Sequence, residues 1–255
     1  MLAWNREKDG ERFQFIKGIA VRLNEFGQAI GDELAVWQRA LLPQKEVLSG
    51  RFCYLEPVNM AKHEKQLYQA YHSIEDGRDW TYLFKERPET EAEFHDYMLS
   101  MINATDAVHY AVMDTNDGHV LGTVALMRID NSNGVIEIGA VNWSPLLKRN
   151  SAGTEAIYLL LSYVFDTLGY RRCEWKCDSC NEPSRNAAKR YGFKYEGQFR
   201  QAIVVKGRNR DTDWFSIIDG EWPEVKRAIT QWLSTENFTA DGKQKKRLQD
   251  FQTAI

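Results

Sequence analysis

The chain has 255 residues, with 33 basic and 36 acidic side chains and a formal net charge of −3. That length can bury one good core with a smaller appendage, and so near-neutral a balance does not suggest a general nucleic-acid binder, though it leaves room for a locally basic groove. No run approaches the roughly 18 apolar residues of a membrane span, and charged Arg6, Glu7 and Lys8 replace the apolar run of a signal peptide. Four cysteines, three of them crowded between Cys173 and Cys180, do not resemble a secreted disulfide framework, so a reduced, cytoplasmic protein is expected.

Residues 1–48 lack a clean hydrophobic repeat and read as an N-terminal arm laid over something larger, on the same or a neighbouring subunit of a homodimer. From Gly50 the pattern tightens: residues 51–57 alternate as a strand, and residues 63–73 read as a helix with Leu67, Ala70 and Tyr71 on one side. The stretch Gly77-Arg78-Asp79-Trp80-Thr81-Tyr82-Leu83-Phe84 is aromatic but bounded by polar and turn-forming residues. It is either a loop packed on its own core or, through Trp80 and Tyr82, an aromatic wall for a substrate. Residues 90–102 form an amphipathic helix, with Glu91 and Glu93 in the first turn, where carboxylates meet the positive end of the helix dipole.

Three strand patterns follow at residues 108–113, 120–129 and 135–143. Their connectors, Asp114-Thr115-Asn116-Asp117-Gly118 and Asp130-Asn131-Ser132-Asn133-Gly134, carry turn chemistry, so this is an antiparallel meander. It runs into a small-residue turn at residues 148–156, after which Ala156, Ile157, Leu160, Leu161, Val164, Phe165 and Leu168 recur at helical spacing. Gly169 caps that helix, and residues 172–177 alternate strictly. The strand, helix, strand order makes this strand parallel to the one ending near Trp143, so the sheet is mixed. A short helix at residues 183–191 is opened by Asn181 and closed by Gly192. Strands at 195–206 and 213–218 flank the basic hairpin Gly207-Arg208-Asn209-Arg210-Asp211, and Pro223 starts a last helix to about Leu233. From Thr235 the polar run, including Lys243-Gln244-Lys245-Lys246-Arg247, is expected to fray. The predicted organisation is an arm (1–48), an α/β (α+β) domain (49–234) and a polar tail (235–255).

The turn at 148–156 aims free backbone N–H groups at one spot, with the helix dipole behind them and Lys148-Arg149 alongside, which makes an anion cradle. It lacks the closing Gly-Lys-Ser/Thr of a P-loop, and no Gly-x-Gly-x-x-Gly is present for a dinucleotide. Glu137, a carboxylate among apolar neighbours on the strand leading into the cradle, is either a solvated strand residue or a general base whose burial raises its proton affinity.

The run Asn181-x-x-Ser184-x-x-x-Ala188-x-x-x-Gly192-Phe193, together with Lys148-x-x-Ser151-x-Gly153-Thr154-Glu155-Ala156, resembles the GNAT superfamily of acetyl-CoA-dependent N-acetyltransferases, most closely its RimJ/RimL branch. The resemblance covers residues 50–233. It implies a central mixed, mostly antiparallel sheet flanked by helices and splayed at the acetyl-CoA site. It further implies that Lys148 and the amides of Arg149, Asn150, Ser151, Ala152, Gly153 and Thr154 bind the pyrophosphate, and that Val141 and Trp143 offer main-chain hydrogen bonds to the pantetheine arm. By the same resemblance, Asn181 would hold the cofactor from the other side and Ser184 would lie near the thioester sulfur. Ser151 stands where the family has its first glycine, Lys148 where it has arginine or glutamine, and Ala188 where the wider superfamily has a general-acid tyrosine; Tyr191 is read as core.

The expected reaction is direct acetyl transfer to a primary amine, a protein or peptide N-terminus or a small amine, through a tetrahedral intermediate, with Glu137 as base and Ser184 donating to sulfur. Acceptor specificity is expected at Trp80, Tyr82 and Arg208. A non-catalytic acyl-CoA-binding module of the same fold is the alternative. The spacing Cys173-x-x-x-Cys177-x-x-Cys180 fits an iron–sulfur radical enzyme, but on one strand Cys173 and Cys177 lie roughly 13 Å apart at about 3.3 Å per residue, too far to share a cluster. No metal, membrane or specific nucleic-acid partner is expected.

Overall fold

A computed structural model of the chain describes residues 6–8, 11–16, 19–34, 36–148 and 150–252, with side chains from Val21 onward. The chain divides into two compact units, Met1–Gln38 and Arg39–Ile255. In the first, β1 (Arg6–Lys8), β2 (Glu11–Ile16), β3 (Ile19–Leu23) and β4 (Ala29–Ile30) form an antiparallel sheet in that order. Asn24 shapes the β3–β4 turn: its side-chain oxygen accepts the amides of Phe26 at 3.0 Å and Gln28 at 2.9 Å, and Gly27 takes the left-handed φ of 76°. The expected arm at 1–48 is therefore corrected. Strands between Arg6 and Ile30 build a sheet of their own, whereas Ala40 is buried in the main core and Leu48–Ser49 (β5) joins the main sheet.

That sheet adds β6 (Cys53–Pro57), β7 (Ala107–Asp114), β8 (Val120–Asp130), β9 (Val135–Trp143), β10 (Arg172–Asp178), β11 (Lys194–Val205) and β12 (Arg208–Ile218). Its order is β11-β12-β10-β9-β8-β7-β6-β5. All neighbours are antiparallel except β9 and β10, which run parallel and pair only as Arg172↔Val135, Cys173↔Ile136 and Glu174↔Glu137. Beyond Glu137 the two strands part. A positive φ of 48° at Ala140 and a register shift against β8 bulge β9 just there.

Helices α1 (Met60–Tyr71) and α2 (Glu91–Ile102) cover one face, where Leu67, Phe94 and Met98 pack on Ala111, Met113 and Val120. Against the other lie α3 (Ser151–Ser162), which continues as a π-helical turn to Thr167, α4 (Glu182–Arg190) and α5 (Trp222–Leu233). Their core joins Ile157, Leu160 and Leu161 to Ile136, Ile138 and Phe215.

Trp80 belongs to the α1/α2 core. It is 2% exposed, with its ring edge-on to Tyr71 and Tyr97 at 5.5 and 5.3 Å. Trp80→Ala should thus cost on the order of 3–5 kcal/mol in urea unfolding through the cavity it leaves.

The expected frayed tail is also corrected. Leu248 is fully buried, and Asn237, 6% exposed, donates to the carbonyls of Trp232 and Lys246 while accepting the Lys246 amide at 2.9 Å. One side chain thereby does the pairing that a strand would otherwise supply, and residues 234–252 form a strap against α5 rather than a loose end.

On β7, burial lowers the pKa of His109 from its usual 6.5 to about 4, and its Nδ1 has no hydrogen-bond partner among the described residues. The unfolded chain therefore takes up this proton at higher pH than the folded one. The resulting stability is full above pH 6.5 and is lost as pH falls toward about 4. Replacing His109 by Gln should flatten that acid limb in pH-dependent urea titrations.

Candidate active site

Past Trp143, the chain turns through hydrogen bonds from Leu147 N to Ser144 O and from Asn150 N to Leu147 O, then enters α3. Asn150 is the N-cap. Its Oδ1 accepts the Ala152 amide at 3.1 Å, and its carbonyl accepts that of Gly153 at 3.2 Å. Two of the predicted cradle amides are thus engaged by the cap itself. Across the turn, Gly122 of β8 permits a close strand approach, because a Cβ there would meet the Asn142 carbonyl at 2.5 Å.

These elements enclose a cleft of about 1090 Å³. Val141 and Trp143 line it from β9, and Lys148, Asn150, Ser151, Gly153 and Thr154 from the cradle. Asn181 and Ser184 of the α4 start complete the wall beyond the splay, and Tyr82 comes from the aromatic loop. Ala152 is buried behind the first turn, and Arg149 lies outside the described residues. Lys148 does not stand free: it ion-pairs with Asp79 and ties the cradle to the aromatic loop.

Asn181 caps α4 by accepting the Ser184 amide at 3.1 Å. The Ser184 hydroxyl accepts Trp175 Nε1 at 3.0 Å, which leaves its own proton to give. Burial pushes the Cys177 thiol up to about 11, against the pull of the Ser184 hydroxyl, so Cys177 is no ready nucleophile. Cys173 and Cys177 share β10, both buried, while Cys180 is exposed. A strand spacing of that length rules out a common cluster.

Three expected residues lie elsewhere. Glu137 is 3% exposed and absent from the cleft wall; both of its oxygens meet Arg128 Nη1, at 2.7 and 2.6 Å, and one meets Lys176 Nζ at 2.9 Å. Both oxygens of this carboxylate are thus occupied by cations, and breaking such a buried pair is destabilising. Trp80 is in the core, as above. Arg208 is exposed at the hairpin tip. The hairpin instead meets the aromatic loop through Lys206, which donates to the Trp80 carbonyl at 2.7 Å, and through buried Arg210, 4.5 Å over the Phe84 ring.

Two further contributions come from unexpected places. Arg190 of α4 lines the cleft, donates to Thr154 Oγ1 at 2.8 Å and lies 5.1 Å over the Trp232 ring, with no carboxylate in ion-pair range among the described residues. The strap supplies Phe238, Gly242, Lys243, Gln244 and Gln249 to the same wall, held in part by Trp232 Nε1 donating to Gln244 at 2.9 Å.

The mixed sheet thus splays between its two parallel strands, with the start of α3 on one side of the gap and α4, carrying Ser184 and Arg190, on the other. A family model for the Acetyltransferase (GNAT) domain matches residues 54–194. The crystal structure of a GCN5-related N-acetyltransferase from Brucella melitensis is 50% identical, with a TM-score of 0.83 over 86% of this chain and 99% of that one. A probable GNAT-family acetyltransferase from Chromobacterium violaceum is 38% identical, with a TM-score of 0.72 over 77% and 98%. The putative ribosomal N-acetyltransferase YdaF of Bacillus subtilis is 31% identical over 43% of this chain and 60% of its own length. The chain belongs to the GNAT acetyltransferase family and is an N-acetyltransferase of that type, a family that draws its acetyl group from acetyl-CoA.

Proposed function

We propose that the protein moves the acetyl group of acetyl-CoA directly to the α-amine of a protein or peptide, in the manner of the RimJ/RimL branch. The observation that carries this reading is the single cleft joining the α3 cradle, the β9/β10 splay and Ser184. In it, the α3 first-turn amides that the Asn150 cap leaves free and Arg190 take the phosphates of coenzyme A, Val141 and Trp143 hold the pantetheine arm, and Ser184 donates a hydrogen bond to the departing sulfur. The name of the relative YdaF favours a ribosomal-protein N-terminus as acceptor. A cytoplasmic location fits such a substrate, and no described helix is long and apolar enough to cross a membrane. A homodimer is part of the same reading and is tested by light scattering.

With Glu137 engaged by Arg128 and Lys176, the site as read carries no strong base. That suits an α-amine: with a pKa of about 7.7–8.0 it is roughly a tenth to a sixth free base at pH 7, whereas a lysine at about 10.4 is under a thousandth. The rate should therefore rise with pH through the acceptor's own pKa. Glu137→Gln should keep that profile's shape while lowering thermal stability, and a lost alkaline limb in this variant would restore Glu137 as base.

Mass spectrometry after incubation with labelled acetyl-CoA, using peptides with free or blocked N-termini and small amines, tests the acceptor. Acetylation of free N-termini is expected. Tight acetyl-CoA binding without transfer to any amine would favour the non-catalytic module instead.

A further inference from the structure

Asn142 sits on β9 between the two residues read as holding the pantetheine arm. Ile136 and Ile138 face the α3 side of the sheet, and simple alternation would send residue 142 the same way. The bulge at Ala140, with its left-handed φ of 48°, breaks that alternation. Val141 and Trp143 then pack on the α3 side, and Asn142 turns toward α1 and α2, across the splay. Its main chain is fixed there: the carbonyl accepts the Tyr71 hydroxyl at 3.1 Å, and that hydroxyl lies 2.9 Å from Thr123 Oγ1.

The Asn142 side chain lines the cleft, is 3% exposed, and has an Nδ2 with no hydrogen-bond partner among the described residues. Burial raises the pKa of the Tyr97 phenol and the neighbouring Asn142 and Thr123 side chains oppose that rise, so Tyr97 lies beside the amide, although Nδ2 meets no acceptor in hydrogen-bond geometry among the described residues. A buried amide donor left unmatched is destabilising, and leucine would fill the same volume without that penalty. Packing alone gives no reason for asparagine at this point.

We propose that Asn142 Nδ2 is a catalytic donor to the acetyl carbonyl oxygen, an assignment that rests on the acetyltransferase reading above. When the amine nitrogen attacks the thioester carbon, the carbonyl π pair moves onto oxygen, and Nδ2 meets that charge. When the intermediate collapses, the C=O bond re-forms and the C–S bond breaks. The sulfur leaves with its electron pair, receives the Ser184 hydrogen bond and takes a proton from solvent, while the nitrogen gives its extra proton to solvent, so no net proton is gained or lost. A fixed, itself buried donor stabilises such a charge more than it does the neutral carbonyl.

Asn142→Leu and Asn142→Asp should each lower kcat by about 10²-fold, the loss usual for one such donor, with the KM for acetyl-CoA within about threefold of wild type. The leucine variant should melt at the same temperature as wild type or higher. Infrared spectra of bound, carbonyl-labelled acetyl-CoA should show a lowered thioester C=O frequency in wild type that returns toward the solution value in Asn142→Leu. An active wild type whose leucine variant keeps its kcat, or loses activity only together with melting temperature and cofactor binding, overturns the donor role and leaves the acetyltransferase reading intact. A wild type that binds acetyl-CoA and transfers nothing removes both.

Discussion

Glu155→Ala should lose on the order of 3–5 kcal/mol of unfolding free energy, the scale of stripping the partner from a buried polar cluster. Glu155 lies in the first turn and a half of α3, 5% exposed, with its carboxylate turned away from the cleft. It accepts the backbone amides of Arg51, Phe52 and Cys53 at 2.9, 2.6 and 2.9 Å. Those donors belong to the bend that opens β6 and have no ladder partner in that direction, so alanine would orphan all of them at once. Urea titration measures the loss. Glu155→Gln, which keeps one acceptor oxygen but turns an NH₂ toward an N–H, should fall between wild type and alanine. Gly50→Ala should break the same knot from the other side, because its Cβ would come within 2.5 Å of the Glu155 carboxylate. A small loss in both alanine variants would mean that the bend finds other partners and that α3 is not anchored here.

The second large effect is on turnover. Ser184→Ala should lower kcat by about two orders of magnitude, at the lower end of what general-acid assistance to a leaving group supplies, with little change in the KM for acetyl-CoA. The hydroxyl accepts from Trp175 and so has only its own proton left to offer. Its amide remains capped by Asn181, so the α4 start should survive the substitution. Losing the hydroxyl also strands the Trp175 N–H, worth about 1–3 kcal/mol of stability, and steady-state kinetics must therefore be run well below the melting range. A Ser184→Ala enzyme with unchanged kcat would place the sulfur elsewhere in the cleft.

The meander, the mixed sheet and the helix start at Asn150 were legible because each rests on local signals: period-two alternation, turns rich in Asn, Asp and Gly, and small residues before a 3.6-residue repeat. What failed was whatever depends on a partner far along the chain. Glu137 reads as a lone carboxylate until Arg128 and Lys176 close on it across two strands. Trp80 looks like a wall residue because nothing nearby in sequence reveals that Tyr71 and Tyr97 will enclose it. The strap looked disordered because its composition is polar, yet two anchors, Asn237 and Leu248, suffice to order it. The sheet in the first unit was missed for a related reason: its strands are short, and hydrogen-bond pairing between them, which no single segment displays, defines them.

The strap covers the cleft without building the sheet. Phe238, Gln244 and Gln249 line the cleft but belong to none of the strands or to α3 and α5, so the fold and this part of the wall are separable in sequence. Without them, Trp232 and the guanidinium of Arg190 would face water on the side the strap covers. A chain ending after Leu233 would therefore keep every strand and main helix while leaving the cleft open on one side.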